Sequence, residues 1–185
     1  MVRDGRLTSL IDRLSAQTGL AVAVFGMIGL KVQIFNWRAG KRALRTAGPT
    51  GFSGGQQEHL SDSAAGWLLL STVAQTRRDG MIRRLNAEAA PERKFSALDM
   101  TSRVQQCRDL GHANGIAGFG SIADITAVLL PDQPENQPLA IGLVYEPSGQ
   151  IASSALLQSL TDAVGRAIDD QAAVPAKVQP LFNAA

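Results

Sequence analysis

The short apolar segments of this chain fall into two clusters, with a long helix-patterned stretch between them. That spacing limits the fold. Strands joined by short links pair antiparallel, because a parallel pair needs a crossover of roughly a dozen residues or more. In the first cluster Leu20 to Phe25 reads as a buried strand, and Gly26-Met27-Ile28-Gly29 as a hairpin turn. Leu30, Val32 and Ile34 then alternate with Lys31 and Gln33, giving one core face and one wet or ligand-facing face. Phe35 and Trp37 break the alternation. A third strand is expected over residues 41–47, with Leu44 as its clearest apolar member. In the second cluster Ile122 to Leu130 is an apolar strand ended by Pro131. Leu139 to Tyr145 matches it across a polar loop bounded by Pro134 and Pro138.

Helices frame and separate these clusters. Leu7, Leu10, Ile11 and Leu14 form an amphipathic stripe that Gly19 is placed to end. Residues 48–58, rich in glycine and proline, read as a loop. Helices are expected over 62–72, 74–89 and 95–110. In the last of these Met100, Val104 and Cys107 share the apolar face, and Gly111 is a natural C-cap. Pro147-Ser148-Gly149 turns the chain into a final helix with Leu157, Leu160, Val164 and Ile168 on one stripe. The result is an α+β layout with about five to six antiparallel strands. A single domain is expected over residues 1–172, with a flexible Ala- and Pro-rich tail over 173–185.

Composition removes several function classes. Charged residues make up 18% and hydrophobic ones 45%, an ordinary globular balance. No apolar run approaches the ~20 residues that cross a bilayer. One cysteine cannot close an intrachain disulfide, which fits a reducing cytoplasm. The net charge of +2 is too small a basic excess to argue for nucleic-acid binding by this segment.

The stretch most suggestive of a site is Glu58-His59-Leu60-Ser61-Asp62-Ser63-Ala64-Ala65-Gly66-Trp67-Leu68-Leu69-Leu70-Ser71. Asp62 or Ser61 is placed to cap a helix whose first turn is small-residued, and such a turn leaves backbone N–H groups open to a close partner. His-x-x-x-Ser-Ala-x-Gly before an apolar helix resembles the signature of the effector-binding domain of IclR-family bacterial transcription regulators. Thr18-Gly19 leading into a strand, the arginine-rich helix around Met81-Ile82-Arg83-Arg84-Leu85, and Arg108-Asp109-Leu110-Gly111-His112-Ala113 extend the resemblance over roughly residues 5–172.

The resemblance implies a GAF-like sheet holding a small organic metabolite, with an organic or aromatic acid as one candidate. Carried over by position, Ala64, Ala65 and Gly66 match the backbone-donor segment. Ala123 and Ile125 match one strand's pocket wall, and Gly142 and Val144 its neighbour's. Leu44 and Thr46 fall on the strand before the loop, and Gly115 where some relatives carry an acidic residue. Trp37, Phe119 and Tyr145 are candidate aromatic contacts. Many family members place Lys after the signature glycine where this chain has Trp67. Relatives that bind small hydrophilic acids place hydroxyls where it has Gly142 and Val144, and the family's acidic run after the Arg-x-x-Gly motif is replaced by Asn114 to Phe119. These departures favour a less polar or larger effector than a two- or three-carbon acid.

The resemblance also implies self-association as dimers or tetramers. Operator DNA would be reached only through a winged helix-turn-helix domain, which this chain does not contain. No cofactor is implied. Two other readings are a small hydrolase using His59 with Ser63 or Ser71, and a ligand-free scaffold. No activating context surrounds the serines, and His59, Cys107 and His112 lack metal-ligand spacing. Arg77, Arg78, Arg83 and Arg84 spread over more than one helix face, as a solvated surface does.

Overall fold

A computed structural model describes residues 2–41 and 52–173 of the chain. The predicted strand over 41–47, including Leu44 and Thr46, and the predicted tail beyond residue 173 lie outside the described residues. The described elements are α1 (Val2–Thr18), β1 (Ala21–Ile28), β2 (Lys31–Arg38), β3 (Gln57–His59), α2 (Ala64–Leu70), α3 (Gln75–Glu88), α4 (Ala97–Leu110), β4 (His112–Ile116), β5 (Asp124–Leu129), β6 (Leu139–Tyr145) and α5 (Ser153–Ala173). The strands form one six-stranded sheet in the order β3-β2-β1-β6-β5-β4. Every pairing is antiparallel. The α+β expectation is therefore met.

The sheet divides the interior into two apolar layers. On one face Ala23, Phe25, Val32, Ile34, Ile125, Ala127 and Val144 meet α2, α3 and α4. On the other Val22, Val24, Val128, Ile141 and Leu143 meet α1 and α5. In α1 Leu10, Ile11 and Leu14 are buried as their spacing predicts. Gly19 ends the helix at φ +68°, donating its amide to Ser15 O at 2.8 Å. The α5 stripe differs from expectation. Leu156, Leu160, Ala163 and Val164 are buried, while Ile168 is 37% exposed near the helix end.

Two further expectations change, and a third gains its physical reason. The first hairpin turn sits at Gly29-Leu30, because β1 continues through Gly26 and Met27, paired with Gln33 and Val32. Gly26 keeps its place in the strand for clearance: a Cβ there would lie 2.0 Å from Phe35 Cε2. A bulge at Phe35, between the Phe25–Ile34 and Val24–Asn36 pairs, shifts the side-chain phase by one residue. That shift explains why the alternation fails at Phe35 and Trp37. The end of the predicted 48–58 loop is strand β3, drawn onto the sheet edge by its backbone: Ile34 donates to Gln56 O at 2.9 Å and Leu60 to Leu30 O at 3.0 Å. Gln-Glu-His carries no apolar periodicity, so only its backbone pairing with Lys31, Val32 and Gln33 of β2 marks it as a strand.

Arg78 is not part of a solvated surface. It is 2% exposed, and its Nη2 donates to Gln105 Oε1 at 3.0 Å, while Gln105 Nε2 donates to Asp109 Oδ1 at 2.8 Å. Its Nε and Nη1 are buried without a partner. A buried guanidinium cannot shed its charge, so desolvation weighs fully on the folded state. Arg78→Met is expected to leave the urea midpoint unchanged or raise it. Gln105→Leu, which removes the acceptor and keeps the cation, should destabilise by ~1–3 kcal/mol. Chemical denaturation of both variants tests this, and the opposite ranking would show that Arg78 is adequately solvated.

Candidate functional site

Helix α2 lies across the sheet on β4, β5, β6, β1 and β2, and all seven of its residues are buried. Its cap is Ser63, not Ser61 or Asp62. Ser63 Oγ accepts from Gly66 N at 3.2 Å with the cap backbone extended. Asp62 is turned instead to Arg93, at 3.3 Å, and Ser61 offers its carbonyl to Trp67 Nε1 at 2.9 Å. Ser63 serves best because a 3-10 turn over Leu60–Asp62 places it, and not its predecessors, at the helix start. That turn also explains Gly66. A Cβ on Gly66 would lie 2.0 Å from Leu60 O, a backbone atom that cannot move aside.

The predicted wall residues converge on this helix. Ala64, Ala65, Ile125 and Val144 are fully buried, Ala123 is nearly so, and all share the α2 layer. Gly142 faces the same way: a Cβ there would meet Ile125 Cδ1 at 2.6 Å and Ala127 Cβ at 3.2 Å. A Cβ on Gly115 would lie 3.5 Å from Ala64 Cβ and 3.3 Å from Trp67 Cζ3. Ala64 on α2 thus opposes a glycine on β4, while Gly142 on β6 makes room for Ile125 and Ala127 of β5. Trp67, which stands where the signature's lysine would, buries its indole, and the Arg103 guanidinium lies 5.0 Å from its ring centre.

The aromatic contacts divide. Trp37 stacks on Phe52 with centroids 4.7 Å apart and planes 9° apart, Phe52 meets Phe119 at 5.7 Å, and Phe119 meets Phe25 at 6.1 Å. Tyr145 belongs to the opposite layer, where its hydroxyl lies 3.2 Å from Thr126 Oγ1. It is therefore not among the site's aromatics. Among the cavities on the described surface are the following three. One of about 370 Å³ lies between α1, α5 and the β5–β6 loop, and one of about 350 Å³ lies beside α3. The third, of about 570 Å³, lies at the end of α1 beside Lys41. Of the predicted wall residues, only Val144 lines any of these three.

Sequence reasoning missed Glu58 as a site residue. Its Oε2 accepts from Phe119 N at 2.8 Å, and its Oε1 is buried without a hydrogen-bond partner. Burial pushes its carboxyl up to about 7 and the Asp62 charge adds to this, while the Phe119 amide, the Ser63 hydroxyl and Arg93 oppose it. The signal lay in Gly118, at φ +75°, whose Cβ would fall 2.1 Å from Glu58 Oε1. No sequence pattern links two residues so far apart.

The other candidates have local roles. His59 lies 3.8 Å from Glu88, and His112 Nδ1 lies 3.2 Å from Leu110 O. Ser71 Oγ donates to Leu68 O at 2.5 Å. Cys107 fills the core as its spacing predicts, and burial raises its thiol to about 11. Among the described residues no group of three or more His, Cys, Asp or Glu side chains is placed to hold a metal. Among them, too, no helix is long and apolar enough to cross a membrane.

The fold is that of IclR-type effector domains. The effector domain of the transcriptional regulator IclR from Acinetobacter sp. ADP1 superposes with a TM-score of 0.76 at 22% identity, covering 91% of this chain and 96% of that one. The Thermotoga maritima IclR superposes at 0.71 with 11% identity, covering 90% of this chain and 65% of that one. An IclR homologue from Microbacterium hydrocarbonoxydans, complexed with 4-hydroxybenzoate, also gives 0.71 at 13% identity, covering 91% of this chain and 68% of that one. The chain thus spans nearly all of an isolated effector domain and about two thirds of the longer regulators. No protein-family profile and no curated protein matches the sequence.

The Glu58 environment carries a pH dependence. A pKa raised on folding means that the folded state holds the proton more tightly. This contribution to stability is whole below the unfolded value of 4.5 and is lost as pH rises through about 7. Folding stability should therefore fall between about pH 5 and pH 8, by on the order of 2–3 kcal/mol at most, and the thermal midpoint should fall with it. Glu58→Gln should flatten this component and exceed the parent's stability at the alkaline end. An equally steep profile in Glu58→Gln would place the titration elsewhere.

Proposed function

We propose that this chain is the ligand-sensing effector domain of an IclR-type transcription regulator. The observation that carries the reading is the small-residue wall. Ala64 on α2 opposes Gly115 on β4, while Ala65, Ala123, Ile125 and Val144 share the same buried layer, Gly142 on β6 makes room for Ile125, and Gly66 packs on the turn before the helix. Side chains this short bring the helix and the sheet into close contact, so a guest that enters this layer must be compact and must displace packed side chains. Leu44 and Thr46 complete the proposed contacts from the segment outside the described residues. The Trp37–Phe52–Phe119 stack supplies an apolar flank, and its half-buried members, Trp37 and Phe52, give way as the guest enters. The solved relative bound to 4-hydroxybenzoate supports a small aromatic molecule as one class of guest.

In the whole regulator, DNA binding belongs to a separate winged helix-turn-helix domain, and effector domains associate as dimers or tetramers. An effector that prefers one arrangement shifts the operator-bound population through linkage. A coupling of about 1–3 kcal/mol changes DNA affinity by roughly 5–150-fold.

A thermal-shift screen of organic acids and aromatic metabolites, with 4-hydroxybenzoate included, tests the reading. A ligand that binds only the folded state raises the midpoint by about RT ln(1 + [L]/Kd). Ala65→Leu, which fills the wall, is expected to abolish the shift. Gly142→Ala, whose methyl meets the movable end of Ile125, is expected to weaken it. Shifts unchanged in both folded variants would sink the site assignment.

A further inference from the structure

The face of the sheet away from α2 carries a cavity of its own. It holds about 370 Å³, near the lower end of the range that small-molecule sites span, and lies where α1, α5 and the β5–β6 loop meet. Its floor is apolar: Leu7 and Leu10 of α1, Leu139 of β6, and Val164 and Ile168 of α5. Two side chains of opposite charge stand in the same lining, Arg6 on α1 and Asp132 in the loop. Among the described residues neither makes a hydrogen bond or an ion pair, with the other or elsewhere. The nearby Arg13 and Asp170, which also join α1 to α5, are matched to each other at 3.8 Å. Asp132 has φ +58°, a backbone conformation that glycine would supply as well, so the turn does not require its charge. Gln133, the next residue of the lining, holds the loop by donating from Nε2 to Pro131 O at 3.1 Å.

We propose that this cavity is a second small-molecule site, separate from the α2 layer, and that it takes a free α-amino acid with an aliphatic side chain. The ligand's carboxylate pairs with the Arg6 guanidinium, whose planar fork matches it, and its ammonium pairs with the Asp132 carboxylate. Its side chain covers the apolar floor, where area removed from water adds affinity. The two charges decide between ligand classes. A fatty acid would satisfy Arg6 but bring its carboxylate up against Asp132, and an alkylamine would do the reverse. A ligand that carries both signs beside an apolar body answers the whole lining. Bound there, it ties α1 and α5 to the β5–β6 loop on the far side of the sheet from the proposed effector layer, and it does so whether or not that layer holds a guest.

Isothermal titration of the full chain with L-leucine, 4-methylpentanoate, 3-methylbutylamine and glycine tests this. L-Leucine is expected to bind, and each of the others to bind about tenfold more weakly or worse, because each lacks the ammonium, the carboxylate or the side chain. Arg6→Gln should erase the advantage of leucine over 3-methylbutylamine, and Asp132→Asn its advantage over 4-methylpentanoate. Both positions are exposed, so both variants are expected to fold. Ala65→Leu, in the α2 layer, should leave leucine binding unchanged. Leucine that does not bind, that binds no better than glycine, or that binds Arg6→Gln and Asp132→Asn as it binds the parent overturns the proposal. Leucine binding lost in Ala65→Leu but kept in Arg6→Gln overturns it too, since the amino acid would then sit in the α2 layer and the effector reading would stand. A parent that takes up no probe, and whose dimer in sedimentation is broken by Arg6→Gln, would show the cavity covered by a second copy instead.

Discussion

The contact between α2 and the sheet organises the rest of the molecule. The helix is only seven residues long, yet every one of them is buried. An isolated helix of that length is not stable in water, so packing must hold it. It can lie this close because Gly115 has no Cβ to meet Ala64 and Trp67, and Gly66 has none to meet the Leu60 carbonyl, so the helix start also packs tightly on the turn before it. Ser63 then satisfies the Gly66 amide, and the Trp67 indole reaches back to the Ser61 carbonyl, which locks the turn before the helix to the helix itself. The apolar run Leu68-Leu69-Leu70 completes the layer that α3 and α4 cover. A side chain at Gly66 would drive the helix start off the turn before it, since its Cβ would lie 2.0 Å from the Leu60 carbonyl oxygen.

Much of this was legible in the sequence, for a definite reason. Elements whose burial follows a period, such as Leu10-Ile11-Leu14 in α1 or Met100-Val104-Cys107 in α4, appear where the pattern puts them. The glycines at 19 and 111 end helices with positive φ, as a residue without a Cβ is suited to do. What could not be read depends on contacts between distant residues. β3 exists because Leu30 and Ile34 offer it backbone partners, and the shifted hairpin exists because Phe35 covers Gly26. Tyr145 follows strand alternation onto the far face, which removes it from the α2 layer although it lies next to Val144. The grouping of the wall residues was legible by position, since alternate residues of β5 and neighbouring strands share a face. The carboxyl of Glu58 was not, because its environment is made by a loop far along the chain.

Two charged side chains border the α2 layer, and their chemistry separates their consequences. Arg78 stays cationic at any pH a protein meets, so its unpartnered Nε and Nη1 are a fixed burden on the fold, eased only through Gln105. Glu58 can lose its burden by taking up a proton, and its carboxyl is poised near neutrality for that exchange. A residue that served stability alone would be better replaced by Gln, which could bond the Phe119 carbonyl or amide without titrating. Keeping a carboxyl there retains a group that changes from acceptor to donor within the ordinary pH range. Beside a layer otherwise made of rings and methyls, it is the group whose charge changes near neutrality, so the pH dependence of the fold is concentrated where β3, the start of α2 and the Phe119 loop meet.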